Sequence, residues 1–110
     1  MNGTVTIGSE VVEMSANAAS PYFYKRVFNE DFLLKTQESP VDVFIFTKMG
    51  FIMAMTAEKS LEDLCKLKEA DFLKWCERFA PMDIMSATQD IAAIYTAQER
   101  GASAPKKEEG

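Results

Sequence analysis

Hydrophobic and polar positions follow a period of two only at the start of the chain. Thr4-Val5-Thr6-Ile7 and Glu10-Val11-Val12-Glu13-Met14 follow a period of two, which puts Val5 and Ile7 on one face of the first run and Val12 and Met14 on one face of the second. Gly8 and Ser9 between them suit a two-residue turn, with glycine supplying the positive φ of a type I′ or II′ hairpin. The pattern predicts a β-hairpin over residues 4–14. A two-stranded hairpin is marginal alone, so it must lean on the elements that follow.

From residue 20 the period becomes helical. Ser20-Pro21 is a start signal: the serine can accept from a free amide of the first turn, and proline at the first helical position gives up an amide that had no partner. Tyr24, Val27 and Phe28 then share a face, with Lys25 and Arg26 toward water. Asn29-Glu30-Asp31 reads as a restart in which Asn29 caps a short turn of helix carrying Phe32 and Leu33, giving two short helices or one kinked helix. Ser39-Pro40 with Asp42 repeats the start signal before the most apolar stretch, Val43 to Met55, broken by Thr47, Lys48 and Gly50. At about fifteen residues this stretch falls short of the roughly twenty that cross a bilayer, and a central helix covered on most sides fits better. Its surplus of Met and Phe on more than one face leaves open a helix partly exposed to a partner or to a second copy.

Ser60 opens the next element, with Asp63 as a capping-box acid and Leu61, Leu64, Cys65 and Leu67 as a brief apolar stripe. Lys66-Leu67-Lys68 reads as a joint, after which Phe72, Trp75 or Cys76 and Phe79 fall on one face. Trp75 suits the aromatic side of the core or a binding platform. Ala80-Pro81 ends that helix and starts a last one, on which Ile84, Ala87, Ile91, Ile94 or Tyr95 and Gln98 mark one stripe, and Met85, Ala92 and Tyr95 widen it. Residues 101–110 carry no large apolar side chain and are expected to form a flexible tail. The expected fold is mainly α with a short N-terminal hairpin, an α+β compact bundle of about four to six helices forming one domain over residues 1–100.

Composition narrows the chemistry. The chain of 110 residues is 47% hydrophobic, enough for one core. Twelve Lys and Arg against seventeen Asp and Glu, for a net charge of -5, argue against electrostatically driven nucleic-acid binding. The absence of His removes the usual neutral-pH general base, the Ser-His and Cys-His pairs and the commonest zinc ligand. Cys65 and Cys76 lack C-x-x-C spacing and read as reduced core thiols. Thr4, Glu10 and Glu13 stand where a signal peptide would carry basic and apolar residues, so a cytoplasmic location is expected. The acidic pairs Glu30-Asp31 and Glu62-Asp63 lack a calcium-loop framework, and Gly3, Gly8 and Gly50 match no phosphate-cradling pattern. No catalytic residue, cofactor, metal or small-molecule substrate is expected, which favours a binding or structural role.

A resemblance goes further. The succession from Val5-Thr6-Ile7-Gly8 through Glu10-Val11-Val12-Glu13-Met14, then Ser20-Pro21-Tyr22-Phe23-Tyr24-Lys25-Arg26-Val27-Phe28 and Glu30-Asp31-Phe32-Leu33, resembles the tail assembly chaperone family of long-tailed phages and prophages of Gram-positive bacteria. Asp71-Phe72-Leu73-Lys74-Trp75-Cys76-Glu77-Arg78-Phe79, Pro81-Met82-Asp83-Ile84 and Ser103-Ala104-Pro105-Lys106-Lys107 resemble the same family. The likeness covers residues 4–107 and lies in the order of elements rather than in one diagnostic motif. It implies a non-enzymatic factor that binds and solubilises the helical tape measure protein, helps recruit tail tube protein, and is absent from the finished virion. A frameshifted longer form occurs in the family. A structural virion component such as a head-tail joining protein, or a small phage-encoded regulatory protein, is the alternative.

A chaperone of this kind needs apolar surface that adapts to several helical segments, a task suited to unbranched Met. The candidate partner-binding residues are Met49, Phe51, Met53, Met55, Met82, Met85 and Tyr95, with Tyr22, Phe23 and Lys25 as a second patch. Each of the first group also suits the core. A homo-oligomer, including one built by adding strands at the hairpin edge, is a further possibility.

Overall fold

The computed structural model describes residues 2–38 and 43–99. They form a hairpin of β1 (Asn2–Ile7) and β2 (Glu10–Ser15), then α1 (Ser20–Phe28), α2 (Phe32–Glu38), α3 (Val43–Glu58), α4 (Leu61–Leu64), α5 (Glu69–Cys76) and α6 (Pro81–Glu99). The architecture is mainly helical with a short N-terminal antiparallel hairpin, as the sequence pattern predicts. The Ser39-Pro40 start signal with Asp42 and the tail expected over 101–110 lie outside the described residues.

The hairpin register pairs Val5 with Val12 and Ile7 with Glu10, so Val5, Ile7, Val12 and Met14 all bury on one face. Gly8 has φ 66° and Ser9 does not share the positive region, which selects the II′ alternative for the turn. β2 lies on α3 and β1 on α6, giving the hairpin the support it lacks alone.

α3 touches β2, α1, α2, α4, α5 and α6. Every residue from Met49 to Met55 is buried, because the hairpin covers one side of the helix while α1, α5 and α6 cover the others. Aromatic rings fill the seams between helices. Phe28 of α1 meets Phe51 of α3 and Phe72 of α5, with the Phe28 and Phe72 centroids 5.0 Å apart, and Tyr95 of α6 meets Phe32 of α2 at 5.0 Å.

Three local expectations are corrected. Ser20 is not the N-cap of α1: the helix starts at Ser20 behind Ala19, and the fully buried Ser20 hydroxyl accepts from the Asn17 amide at 3.0 Å, closing the turn that leaves β2. Asn29 ends α1 rather than starting α2. It sits in the left-handed region at φ 56° and its N–H donates to the Lys25 carbonyl at 2.7 Å, while Asp31 takes the capping role by accepting from the Leu34 amide at 3.0 Å. The stripe on α4 and its exit is split: Leu64 and Leu67 bury, but Leu61 and Cys65 face solvent because a single turn of helix presents only one side to α3. Ser60 does cap α4, accepting from the Asp63 amide at 3.2 Å.

Candidate functional site

α3 enters the fold at a corner left open by its neighbours. Phe44, in its first turn, is 60% exposed, while Ile45 beside it is buried. The α5 helix ends at Cys76, Phe79 follows half-buried, and Pro81 starts α6 with Met82 and Met85 in its first two turns. These three chain segments meet around a groove of about 370 Å³ lined by Phe44, Thr47, Cys76, Phe79, Pro81, Ile84 and Met85. Its surface is almost wholly apolar. Met82, at 67% exposure, and Met85, at 48%, add unbranched apolar side chains at the start of α6. Desolvation by partial burial raises the Cys76 thiol above its ordinary pKa, so the groove holds a neutral thiol and not a reactive thiolate.

The sequence-derived residues divide sharply. Met49, Phe51, Met53 and Met55 are core residues, corrected from candidate surface, because α3 is covered on every side along that stretch. Tyr95 is likewise buried, between Phe32 and Phe46, and Phe23 is buried on the inner face of α1. Met82 and Met85 are at the surface. Tyr22, 63% exposed, and Lys25 lie together with Arg26 and Asn29 around a shallow depression on α1, apart from the apolar groove. Sequence reasoning missed Phe44 and Phe79. For Phe44 the available signal was positional, since it lies in the first turn of α3, where an apolar side chain has no preceding turn to lie over; Phe79, after the end of α5, carried no such signal.

Polar chemistry is concentrated elsewhere. Glu30, in the link after α1, accepts from the Tyr24 hydroxyl at 2.6 Å and from Lys48 of α3 at 3.2 Å, tying three segments together, and Lys48 Nζ lies 5.4 Å from the Phe28 ring centroid. Desolvation raises its pKa, but the hydrogen bonds from Tyr24 and Lys48 and the charges of Lys48 and Lys35 outweigh that and hold the carboxyl below its ordinary value. Among the described residues no cluster of three or more Cys, Asp or Glu is arranged to hold a metal ion, and no helix is long and apolar enough to cross a membrane.

Comparison of the chain with protein-family models, curated proteins and solved structures finds no match.

Proposed function

We propose that the chain is a non-enzymatic tail assembly chaperone of a long-tailed phage or prophage, which binds and solubilises the helical tape measure protein and helps recruit tail tube subunits in the host cytoplasm. The observation that carries the reading is the apolar groove with Phe44, Met82 and Met85 exposed around it. A small acidic domain that keeps such side chains in water gains most from a partner that presents an apolar helix face, and Met adapts to more than one such face. The order of elements that resembles the family supplies the identity of the partner.

Co-expression with the coding sequences that neighbour its gene, followed by pull-down and mass spectrometry, tests the reading. Recovery of a long helical protein that is soluble only with this chain, and loss of that recovery in Met85→Asp, is the expected result. Failure to retain such a protein, together with incorporation of the chain into purified particles, makes it a structural virion component instead.

A further inference from the structure

The hairpin has two outer edges, and they differ. Ile7 pairs with Glu10 across a two-residue turn, so Ile7, Val5 and Gly3 spend their backbone N–H and C=O groups on β2, while Thr6, Thr4 and Asn2 turn theirs outward. Among the described residues no further strand pairs with that edge of β1, no other backbone hydrogen bond reaches it, and Thr4 and Thr6 are exposed. The β2 edge is guarded by charge: it carries Glu10 and Glu13, and Arg78 pairs with Glu10. Edge strands of soluble proteins are ordinarily blunted by charge, proline or a bulge. β1 reads Asn2-Gly3-Thr4-Val5-Thr6-Ile7, with no charged residue and no proline, and its pairing with β2 runs from end to end without a bulge.

Beneath this strand α6 runs from one end to the other. A Cβ on Gly8 would lie 2.7 Å from Oδ2 of Asp83, and one on Gly3 would lie 2.9 Å from Cδ1 of Ile94. A second strand can join β1 only if the helix below leaves room for its counterpart. Going round α6 from Asp83 and Ile94, away from α3, the next row at helical spacing is Ser86, Asp90, Ala93 and Ala97, all exposed. Three of the four are small, so two such helices can lie side by side at short distance under a joined sheet. Ile84 and Met85, which line the apolar groove, fall outside this row.

We propose that β1 is the surface by which two copies of this chain join, edge to edge and antiparallel about a twofold axis, into one four-stranded sheet. With Thr4 opposite Thr4 of the second copy, Asn2 and Thr6 of each chain stand opposite Thr6 and Asn2 of the other, and every outward N–H and C=O of these residues gains a partner. The two Thr4 side chains then meet on the outer face as a cross-strand pair of a kind that stabilises sheets. The uncharged strand selects a second copy as the occupant. In a chain of net charge -5 it is a seam along which identical molecules meet without opposing like charges, and Asp90 is the one acid in the α6 row below it. A strongly charged foreign strand would find no complementary charge on β1.

Sedimentation equilibrium and light scattering on the full chain alone, up to about 100 μM, test the interface. The expected mass is twice 12.3 kDa. Thr4→Lys sets two cations opposite each other and weakens the dimer about fivefold or more, and Thr4→Glu does the same with two anions. An equal mixture of the two variants forms a heterodimer, a result that a purely structural role of Thr4 in the hairpin would not produce. Thr4→Pro, whose missing N–H is one that points outward, and Ala93→Arg, which fills the space beside α6, both abolish or weaken the dimer. Circular dichroism verifies that each variant is folded. A monomer throughout that range, a dimer indifferent to the Thr4 variants or to Ala93→Arg, or no heterodimer in the mixture overturns the proposal. Loss of the dimer in Met85→Asp, with the Thr4 variants unaffected, moves the contact to the apolar groove and overturns it too. Because the chain is measured without a partner, a monomer leaves the chaperone reading standing, and failure to recover a co-expressed partner leaves the dimer standing.

Discussion

A Cβ placed on Gly50 would lie 2.8 Å from Cδ1 of Ile91, closer than real side chains approach. Gly50 is in the middle of α3 and Ile91 in the middle of α6, and both are buried. A glycine at a helix centre costs about 1 kcal/mol against alanine, so its presence there needs a packing reason. The reason is close approach: α6 can press on α3 only where α3 has no side chain, and Ile91 fills that gap.

Gly50→Ala therefore sets a propensity gain of about 1 kcal/mol against an overpacking cost of about 1–3 kcal/mol, and the overpacking prevails. The expected outcome is a net loss of about 1 kcal/mol, seen as a lower urea midpoint at constant slope. Ile91→Val removes the clashing Cδ1 and alone costs about 0.5–1.5 kcal/mol. Combined with Gly50→Ala it should cost clearly less than the sum of the two, and strict additivity would show that the contact is not what the glycine serves.

Asn29 makes a different backbone prediction. Its left-handed conformation at φ 56° is one that glycine adopts freely, asparagine tolerates and alanine resists. Asn29→Ala should lose about 1 kcal/mol of stability, and Asn29→Gly should match or exceed the parent, in parallel chemical denaturations. Equal losses in both variants would mean that the asparagine side chain, and not the backbone, is what the position requires.

The same residue shows where the sequence stops being legible. Asn both starts and ends helices, and Asn29-Glu30-Asp31 offers two capping side chains in three positions, so local pattern cannot assign which of them closes α1 and which opens α2. Ser20 is ambiguous for a similar reason, since its hydroxyl can serve the amides ahead of it or the Asn17 amide behind, and burial decides for the latter. The hairpin was readable down to the face of each residue because a period of two has only one alternative register. For α3 the apolar run announced a central helix, but not which Met and Phe stay at the surface. That depends on how far the hairpin and α5 extend over it, a tertiary matter that places Met53 in the core and Phe44 in water.

Glu30 gives the stability its acid dependence. Its carboxyl titrates below the ordinary range in the folded chain, with burial opposing that shift and Tyr24 and Lys48 prevailing over it. A group whose folded pKa is depressed contributes stability that is fully present above its unfolded pKa and is lost as pH falls through the folded value. The denaturation midpoint should accordingly drop from the ordinary glutamate range downward. Glu30→Gln should lower stability at neutral pH and flatten that acid limb, because the variant can still accept from Tyr24 but no longer titrates or pairs with Lys48. An acid limb of unchanged slope in Glu30→Gln would assign it to other carboxylates.

Met53 and Met85 separate folding from binding. Met53 has no exposed surface and sits among the α3 residues that every neighbour packs against, so Met53→Asp buries an unpaired carboxylate and should cost more than about 4 kcal/mol, unfolding a domain of this size. Met85 is 48% exposed at the edge of the apolar groove, and Met85→Asp puts its charge in water, where a surface substitution changes stability by about 0.5 kcal/mol or less. Phe44, also on the lining of the groove and 60% exposed, should behave on substitution by Asp as Met85 does. Circular dichroism and thermal melts check the folding half of the contrast, and recovery of the co-expressed partner checks the other. A folded Met85→Asp and a folded Phe44→Asp that both still retain and solubilise the partner would remove the groove from the binding surface. Loss of the partner in both, with melts close to the parent, would fix the groove as the place where the apolar partner face is held.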